Sequence, residues 1–322
     1  MTNLHNNSSS QVPEQHGVAD DEIDLKELFS ALWAGKLWII ATTVIASAIA
    51  IALALSMPNI YRSQALLAPV SSDSGGLGGL ASKFGGLASL AGVSLPGGSG
   101  GDKTTMGLEV IKSRQFFATL IEKYDVLVPL MAAENWDPVS NTLIIDPEVY
   151  NADTASWLRA VKPPRKSEPS VQEAHEVFLQ NLSIAQDKET GFINISVEHF
   201  SPYIAKQWVE MLIVEINETI RAQDVSQAER SIAYLQEQIQ ATQLAELQAG
   251  FFELIQSQTE TIMLANASPE YLFKTIDPAV VPELKAKPKR ALIAVLGSLL
   301  GGMLGVLIVL VRHFTGKAHS AE

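Results

Sequence analysis

Two long apolar runs without a charged residue constrain the fold of this chain more than any other feature. Leu37 to Met57 and Ala291 to Val311 each extend for 21 residues without Asp, Glu, Lys or Arg. At the rise of an α-helix, each run would span about 30 Å, the thickness of the hydrocarbon layer of a membrane. Core helices of soluble proteins seldom run this long without a polar face. The sequence therefore predicts transmembrane helices at 37–57 and 291–311.

The flanks of these runs predict their orientation. The first run lies behind 36 residues and is not followed by a convincing cleavage site, so we expect it to remain as a span rather than to be removed as a signal peptide. Two spans place both termini on one side of the membrane and residues 58–290 on the other. Lysines precede the first span and Arg312 and Lys317 follow the second, which favours cytoplasmic termini.

The sequence between the spans predicts an α/β base with a helical protrusion. Strand-forming stretches lie at 60–68 and 271–277, and residues 182–200 have the pattern of a hairpin. Residues 203–249 contain neither glycine nor proline, so a long helical hairpin is expected over about 203–267, turning between about 238 and 252. Apolar residues of this stretch follow a coiled-coil spacing, which predicts self-association; they are Val225, Ala228, Ile232, Leu235 and Ile239.

The predicted fold class is thus an α+β membrane protein in which two transmembrane helices flank a periplasmic α/β base with a long helical-hairpin protrusion. The expected segments, in chain order, are a cytoplasmic tail (1–36), the first span (37–57), the periplasmic domain (58–290), the second span (291–311) and a cytoplasmic tail (312–322).

No stretch of the sequence predicts catalysis, a metal or a cofactor. Gly97-Gly98-Ser99-Gly100-Gly101 matches the pattern of a nucleophile elbow but lacks the strand before it and the helix after it. Asp102 stands where a phosphate-binding loop has glycine before its lysine. His175 and His199 are isolated and are expected to be surface or structural residues, and the net charge of −12 argues against nucleic-acid binding.

The glycines of the second apolar run predict a helix-packing surface. Gly297, Gly301 and Gly305 recur every four residues and so lie on one helix face, with Gly302 beside them. Without side chains, another helix can approach closely and gain packing that lipid does not supply. The alternative is glycine that a membrane helix merely tolerates, and the sequence leaves open which helix would be met.

A proline-rich, basic stretch precedes the second run. Pro278, Pro282 and Pro288 favour extended or polyproline geometry and predict a stiff connector. The cations are candidate contacts for lipid phosphates or an anionic lipid-linked glycan, with ordinary interfacial anchoring as the alternative; they are Lys285, Lys287, Lys289 and Arg290. The glycine-rich segment 75–101 carries apolar spacers, so either a flexible loop or a surface touching lipid or an oligomer's lumen is expected.

Three stretches of the chain together resemble the Wzz-type chain-length determinants, the polysaccharide co-polymerases of the lipopolysaccharide O-antigen pathway. They are YRSQALLAP after the first span, YLFKTIDPAVVPELKAKPKR, and GSLLGGMLG within the second span. The spacing from Pro288-Lys289 to Gly301 matches the family pattern. The chain departs from that pattern at Lys287, where serine is common, and at Val306-Leu307, where Ala-Gly is usual.

The resemblance implies a bacterial inner-membrane protein that is not an enzyme and has no cofactor. It implies ring-shaped homo-oligomers that act with the Wzy polymerase to set the modal number of O-antigen repeats on an undecaprenyl-linked glycan. Expected partners are therefore further copies of the chain, the polymerase, membrane lipids and the lipid-linked polysaccharide. The alternative is a membrane adaptor of a tyrosine autokinase in capsule or exopolysaccharide export.

Overall fold

The structure, a computed structural model, describes residues 25–70 and 100–319. Most of the tail predicted at 1–36 and most of the glycine-rich segment 75–101 lie outside these residues. The helices are α1 (Leu25–Ala34), α2 (Lys36–Ser56), α3 (Gly100–Ile111), α4 (Arg114–Lys123), α5 (Leu127–Met131), α6 (Val171–Asn181), α7 (Pro202–Ala241), α8 (Ala245–Ala267) and α9 (Arg290–His319). The strands are β1 (Ile60–Pro69), β2 (Ala133–Asp137), β3 (Thr142–Ile145), β4 (Tyr150–Asn151), β5 (Ser156–Trp157), β6 (Leu182–Gln186), β7 (Ile193–His199), β8 (Phe273–Asp277) and β9 (Lys285–Lys287).

The chain divides into two compact units, of which the first contains α1, α2 and α9. Two of its helices are long and apolar enough to cross a membrane. They cover Lys36–Ser56 and Arg290–Thr315, with mean hydropathies of 2.3 and 2.5 over their most apolar windows. Because α2 and α9 pack along each other within this unit, the two apolar stretches at opposite ends of the sequence form one helical pair.

The second unit, residues 57–288, is built on an antiparallel five-stranded sheet. The order is β6-β7-β1-β8, and β9 pairs with the start of β1 on the edge where β8 pairs with its end. The β6–β7 hairpin turns at Gly191, whose φ of 75° suits glycine. Asp187 Oδ1 accepts hydrogen bonds from the backbone N–H groups of Glu189 and Thr190, which fixes this turn.

Helices α4, α6 and α7 bury their apolar faces with the sheet to form the core of this unit. The rings of Phe117 and Phe178 stack with centroids 4.8 Å apart, joining α4 to α6. Serine side chains cap the N-termini of these three helices; they are Ser113, Ser170 and Ser201. The central apolar residues of α7 and the strands are fully buried; they are Leu67, Ile193, Ile195, Val197, Leu212, Ile216 and Ile220.

The C-terminal part of α7 extends beyond this core and pairs with α8. The helix has 40 residues and is about 60 Å long. After Ile220, Ala228 is its one buried residue. The helix ends at Ala241 without glycine or proline, and the Gln248 side chain of α8 binds two carbonyls at this end. Gln248 Nε2 donates to Thr242 O at 2.8 Å and to Ile239 O at 3.3 Å.

The predicted fold class is confirmed: strands and helices are mixed, two helices are candidates to cross a membrane, and a long helical region is present. The proline-rich stretch was expected to be extended or polyproline-like. Within it, Lys285–Lys287 forms strand β9 opposite Ile60 and Tyr61, a pairing that the sequence did not indicate. Strand β8 pairs only with the end of β1, so the start of the same edge has free backbone groups that bind β9. The spacing of the prolines does not reveal this pairing.

Candidate functional site

The small residues of α9 lie against small residues of α2 in the same chain. We call this contact the glycine seam; its pairs are Gly297 with Ala50, Gly301 with Ala46, and Gly305 with Thr42. The pairs advance by four residues on one helix while they retreat by four on the other, as antiparallel helices require. The sequence left the partner of these glycines open, and the structure supplies α2.

The fit along the glycine seam leaves no room for a methyl group. A Cβ atom on Gly301 would lie 2.5 Å from Ala46 Cβ and 3.1 Å from Thr42 O. A Cβ atom on Gly305 would lie 2.8 Å from Ile39 Cα, which is backbone and cannot rotate away. Such close approach gives van der Waals contact along the whole pair, the main attraction between helices in lipid.

Hydroxyl groups add a polar contact to the seam. Ser47 Oγ and Ser298 Oγ are 2.8 Å apart, so one donates to the other across the two helices. Each hydroxyl is also within 2.8 Å of a carbonyl one turn earlier in its own helix, Thr43 O and Ala294 O. Such an interhelical bond contributes about 0.6 kcal/mol on average in a membrane, in addition to the packing of the glycines.

Sequence reasoning missed the α2 side of the seam, although a signal for it exists. Thr42, Ala46, Ala50 and Ala54 recur at intervals of four, the same interval as the glycines of α9. From its hydrophobicity, the first apolar run was predicted only to be a span. A small residue at every fourth position is the feature that would have indicated a complementary helix face.

Gly302 does not share the tight contacts of the other three glycines. A Cβ atom there would lie 3.5 Å from Thr43 Oγ1, an ordinary van der Waals distance. Gly302 also borders a shallow apolar groove on α9 that is lined by Leu299, Met303 and Val306. The structure therefore separates the four glycines into three seam positions and one groove position.

Arg290 lies at one end of the glycine seam and binds α2 there. Its Nε atom donates to Ala54 O at 3.0 Å, near the C-terminus of α2. Carbonyls in the last turn of a helix lack intrahelical donors and carry the negative end of the helix dipole, so a guanidinium is favourable there. Arg290, expected as a lipid or glycan contact, thus binds the backbone of α2.

Two of the other basic residues have protein partners in the second unit. Lys287 Nζ lies 2.6 Å from Glu198 Oε2, and Arg62 binds the other oxygen of the same carboxylate. Lys285 Nζ donates to Asn59 Oδ1 at 3.2 Å. Burial acts to raise the pKa of Glu198, but the hydrogen bonds from Lys287 and Arg62 outweigh it and hold the pKa below its ordinary value. The carboxylate consequently stays charged and links β7, β1 and β9.

The proline-rich segment lies along the sheet edge between β8 and Arg290. Pro278 directly follows β8, Pro282 precedes β9, and Pro288 follows β9. Between the first two, Ala279 is buried and Ser63 Oγ donates to Val280 O at 2.7 Å. Lys289, exposed to solvent, is the last residue before α9. Side-chain packing on β1 thus fixes a segment that was predicted to be stiff because of its prolines.

His175 and His199 are buried and form hydrogen bonds with backbone groups. His199 is buried; its Nδ1 accepts a hydrogen bond from Ser201 N at 3.0 Å, and its Nε2 lies 3.0 Å from Pro129 O. His175 Nε2 lies 2.8 Å from Lys112 O. Within residues 25–70 and 100–319, no three His, Asp or Glu side chains come together as metal ligands.

Two family models match separate parts of the chain. Residues 21–124 match the Wzz model, described as "Chain length determinant protein". Residues 236–314 match the GNVR model, described as "G-rich domain on putative tyrosine kinase". Among curated proteins, none matches the chain in sequence.

Two solved structures are similar to this chain. One is a full-length bacterial polysaccharide co-polymerase, with 15% identity and a TM-score of 0.38, over 91% of this chain and 99% of that one. The other is a fragment of WzzB, a polysaccharide co-polymerase from Salmonella Typhimurium. It has 11% identity and a TM-score of 0.29, over 71% of this chain and 100% of that one.

Proposed function

The chain is a Wzz-type chain-length determinant, and we propose that it sets the modal length of the lipopolysaccharide O-antigen without catalysing a reaction itself. The observation that carries this proposal is the family match over residues 21–124, which runs from before α2 through β1 to α4. The match includes YRSQALLAP, one of the three stretches that carry the resemblance. The proposed partner is a Wzy-type polymerase that extends an undecaprenyl-linked glycan.

The proposed location is the bacterial inner membrane, with residues 58–290 in the periplasm and both termini in the cytoplasm. Two helices apolar enough to cross the membrane support the membrane location. In this arrangement the glycine seam holds the two spans of one protomer together. Since Gly297, Gly301 and Gly305 already contact α2, other copies or the polymerase would meet other faces of α2 and α9.

We propose that several copies assemble side by side through the helices α7 and α8. Large apolar side chains are exposed along this pair, which a protein in water ordinarily covers by association; they include Tyr234, Leu247, Phe252, Met263 and Leu264. Phe252 and Met263 are 59% and 65% exposed, so the helical pair does not bury its own apolar surface. A ring of copies would cover it.

We propose that the basic residues near the membrane have two roles. Arg290 binds the backbone of α2 and Lys287 binds Glu198, so both side chains contribute mainly to structure. Lys289 is exposed beside the start of α9 and is the better candidate for a lipid phosphate or an anionic lipid-linked glycan. The assignment is narrowed to Lys289 because the side chains of Lys285, Lys287 and Arg290 bind other groups of the protein.

A second candidate function is supported by the match over residues 236–314. The description of that model refers to a tyrosine kinase, and the matched region includes the end of α7, α8 and most of α9. The chain would then be the membrane adaptor of a tyrosine autokinase in capsule or exopolysaccharide export. Its regulated product would be a different polysaccharide, so the two candidates can be separated by what changes when the gene is removed.

Deletion of the gene followed by gel electrophoresis of lipopolysaccharide and capsule tests both candidates. We expect the clustered modal band of the lipopolysaccharide to disappear and short chains of random length to remain, and the wild-type gene on a plasmid to restore the band. An unchanged lipopolysaccharide ladder together with altered capsule would instead support the adaptor function.

A further inference from the structure

Aromatic side chains stand exposed on the short helix α1, which precedes α2. Phe29 and Trp33 are 67% and 64% exposed, and they lie one helical turn apart. Their rings stack with centroids 6.3 Å apart and an interplanar angle of 21°. Two large rings side by side form an apolar patch that requires a partner of some kind.

A cation accompanies each tryptophan at this end of the first unit. Lys36 Nζ lies 4.7 Å from the ring centre of Trp33, and Arg312 Cζ lies 5.5 Å from the ring of Trp38. Trp38 is itself 54% exposed. Trp33 and Lys36 flank the start of α2, and Arg312 follows the last apolar residues of α9, so all these groups belong to the same end of the helical pair.

The opposite side of α1 is held against α9. Ala31 is 5% exposed and Val309 of α9 is 7% exposed. A Cβ atom on Gly35 would overlap the methyl groups of Val309, so glycine is required where α1 joins α2. Because α1 is fixed to α9 in this way, Phe29 and Trp33 cannot turn inward to cover themselves.

We propose that Phe29, Trp33, Lys36, Trp38 and Arg312 form an interfacial girdle that binds the headgroup layer of the membrane. Tryptophan rings favour this layer because their apolar body and polar N–H meet lipid and water together. Lysine and arginine next to the rings reach the lipid phosphates, which are negatively charged. The girdle continues the surface of two membrane-crossing helices, and this continuity selects lipid over a soluble protein as its partner.

The girdle would fix the depth of the glycine seam in the bilayer. Leu37–Met57 contains no charged residue, so residues at its ends must fix its position along the membrane normal. Stacked aromatic rings at one end resist movement both into the hydrocarbon and into water. Membrane anchoring by the girdle does not depend on which polysaccharide the protein regulates.

Nitroxide labels on single cysteines test the girdle directly in the full-length protein. The chain contains no cysteine, so Phe29→Cys needs no background substitutions. The protein is reconstituted in vesicles of phosphatidylcholine and phosphatidylglycerol, and the accessibility of the label to oxygen and to a water-soluble nickel chelate is measured. Ile45→Cys on the exposed face of α2 is the hydrocarbon control, and Lys188→Cys in the β6–β7 turn is the water control.

We expect the label at position 29 to be several-fold less accessible to the nickel chelate than the label at position 188, and to give a shallower depth than the label at position 45. Chelate accessibility equal to that at position 188 would overturn the proposal. Protection from both oxygen and the chelate would also overturn it, because the partner would then be protein. If Phe29→Cys does not insert, Trp33→Cys provides the same comparison.

Discussion

Gly297 of α9 faces Ala50 of α2 so closely that a methyl group on the glycine would overlap the methyl group of the alanine. The next atom near such a methyl group, Ala46 O, lies 3.6 Å away, at an ordinary contact distance. This pair therefore holds one methyl group, on either helix but not on both. Packing at this pair therefore depends on which of the two helices carries the single methyl group.

An exchange of residues between these two positions should preserve the helical pair. Gly297→Ala alone is expected to destabilise the α2–α9 contact by about 1–3 kcal/mol, the usual effect of forcing a methyl group into a filled space. Combining it with Ala50→Gly should restore most of the loss, because the methyl group is then returned to the same gap. Thermal unfolding of the full-length protein in detergent, followed as a double-mutant cycle, measures this coupling.

Gly302→Ala is the matched control for this cycle, since the new methyl group would meet Thr43 Oγ1 at 3.5 Å without overlap. It should change the unfolding temperature little. Equal losses for Gly297→Ala and Gly302→Ala, with no rescue by Ala50→Gly, would show that the seam does not determine the stability of the pair.

The fold class could be predicted from sequence because it depends on patterns that hydrophobicity sets directly. Two uncharged apolar runs and a long glycine-free stretch indicate membrane helices and a helical protrusion whatever their tertiary contacts are. The turn at 242–244 could not be predicted in the same way. Its carbonyls are satisfied by Gln248, and a glutamine among many in this stretch carries no signal of that role.

The candidate site was predictable on one side and not on the other. The glycines of α9 are conspicuous because glycine is costly inside a helix, whereas the alanines and threonines of α2 are ordinary in any membrane span. The partners of Lys287 and Arg290 were missed for another reason. Glu198 and Ala54 O are brought to them by strand pairing and helix packing across 89 and 236 residues of sequence.

Acidification should weaken the second unit through His199. Burial lowers the pKa of this histidine, and its Nδ1 accepts a hydrogen bond from Ser201 N, so the folded state favours the neutral ring. The unfolded state takes up a proton near its ordinary pKa of about 6.5, which the folded state resists. The stabilisation is therefore complete above that pH and is lost as the pH falls below it, by at most about 1.4 kcal/mol for each pH unit.

Unfolding temperatures of the full-length protein measured between pH 8 and pH 5 test the role of His199. The variant His199→Gln should be less stable at pH 8 but should show a shallower decline on acidification. A decline as steep as that of the wild type would assign the pH dependence to other groups.

Removal of the Glu198 carboxylate should loosen the edge of the sheet. Glu198→Gln leaves Arg62 and Lys287 without their shared anion, and since both cations are about half exposed we expect a loss of about 1 kcal/mol. Glu109→Gln on α3 removes an exposed pair with Lys112 and serves as the control, with an expected change below about 0.5 kcal/mol. Denaturant unfolding compares the two. Similar effects would mean that Glu198 contributes no more than a surface pair.

Hydrogen exchange should report the contribution of Gln248 to the helical turn. Gln248→Ala removes the donor to Thr242 O and Ile239 O, and each unmade bond costs about 0.5–1.5 kcal/mol. We expect faster amide exchange in the last turn of α7 and the first turn of α8, with the sheet core unchanged. Gln236→Ala, an exposed glutamine of α7, is the control and should leave exchange in the turn as it is.

Larger side chains in the glycine seam should abolish length control while the protein still enters the membrane. Leucine at both Gly301 and Gly305 would collide with Ala46, Thr42 and the backbone of Ile39, so α2 and α9 could not keep their contact. Insertion depends on hydrophobicity, which leucine increases. Complementation of the deletion strain, with lipopolysaccharide gels and membrane blots, should show a normal amount of protein and loss of the modal band. Gly302→Leu, on the groove side, should retain the band, and a modal band unchanged by the double substitution would mean that length control does not need the seam.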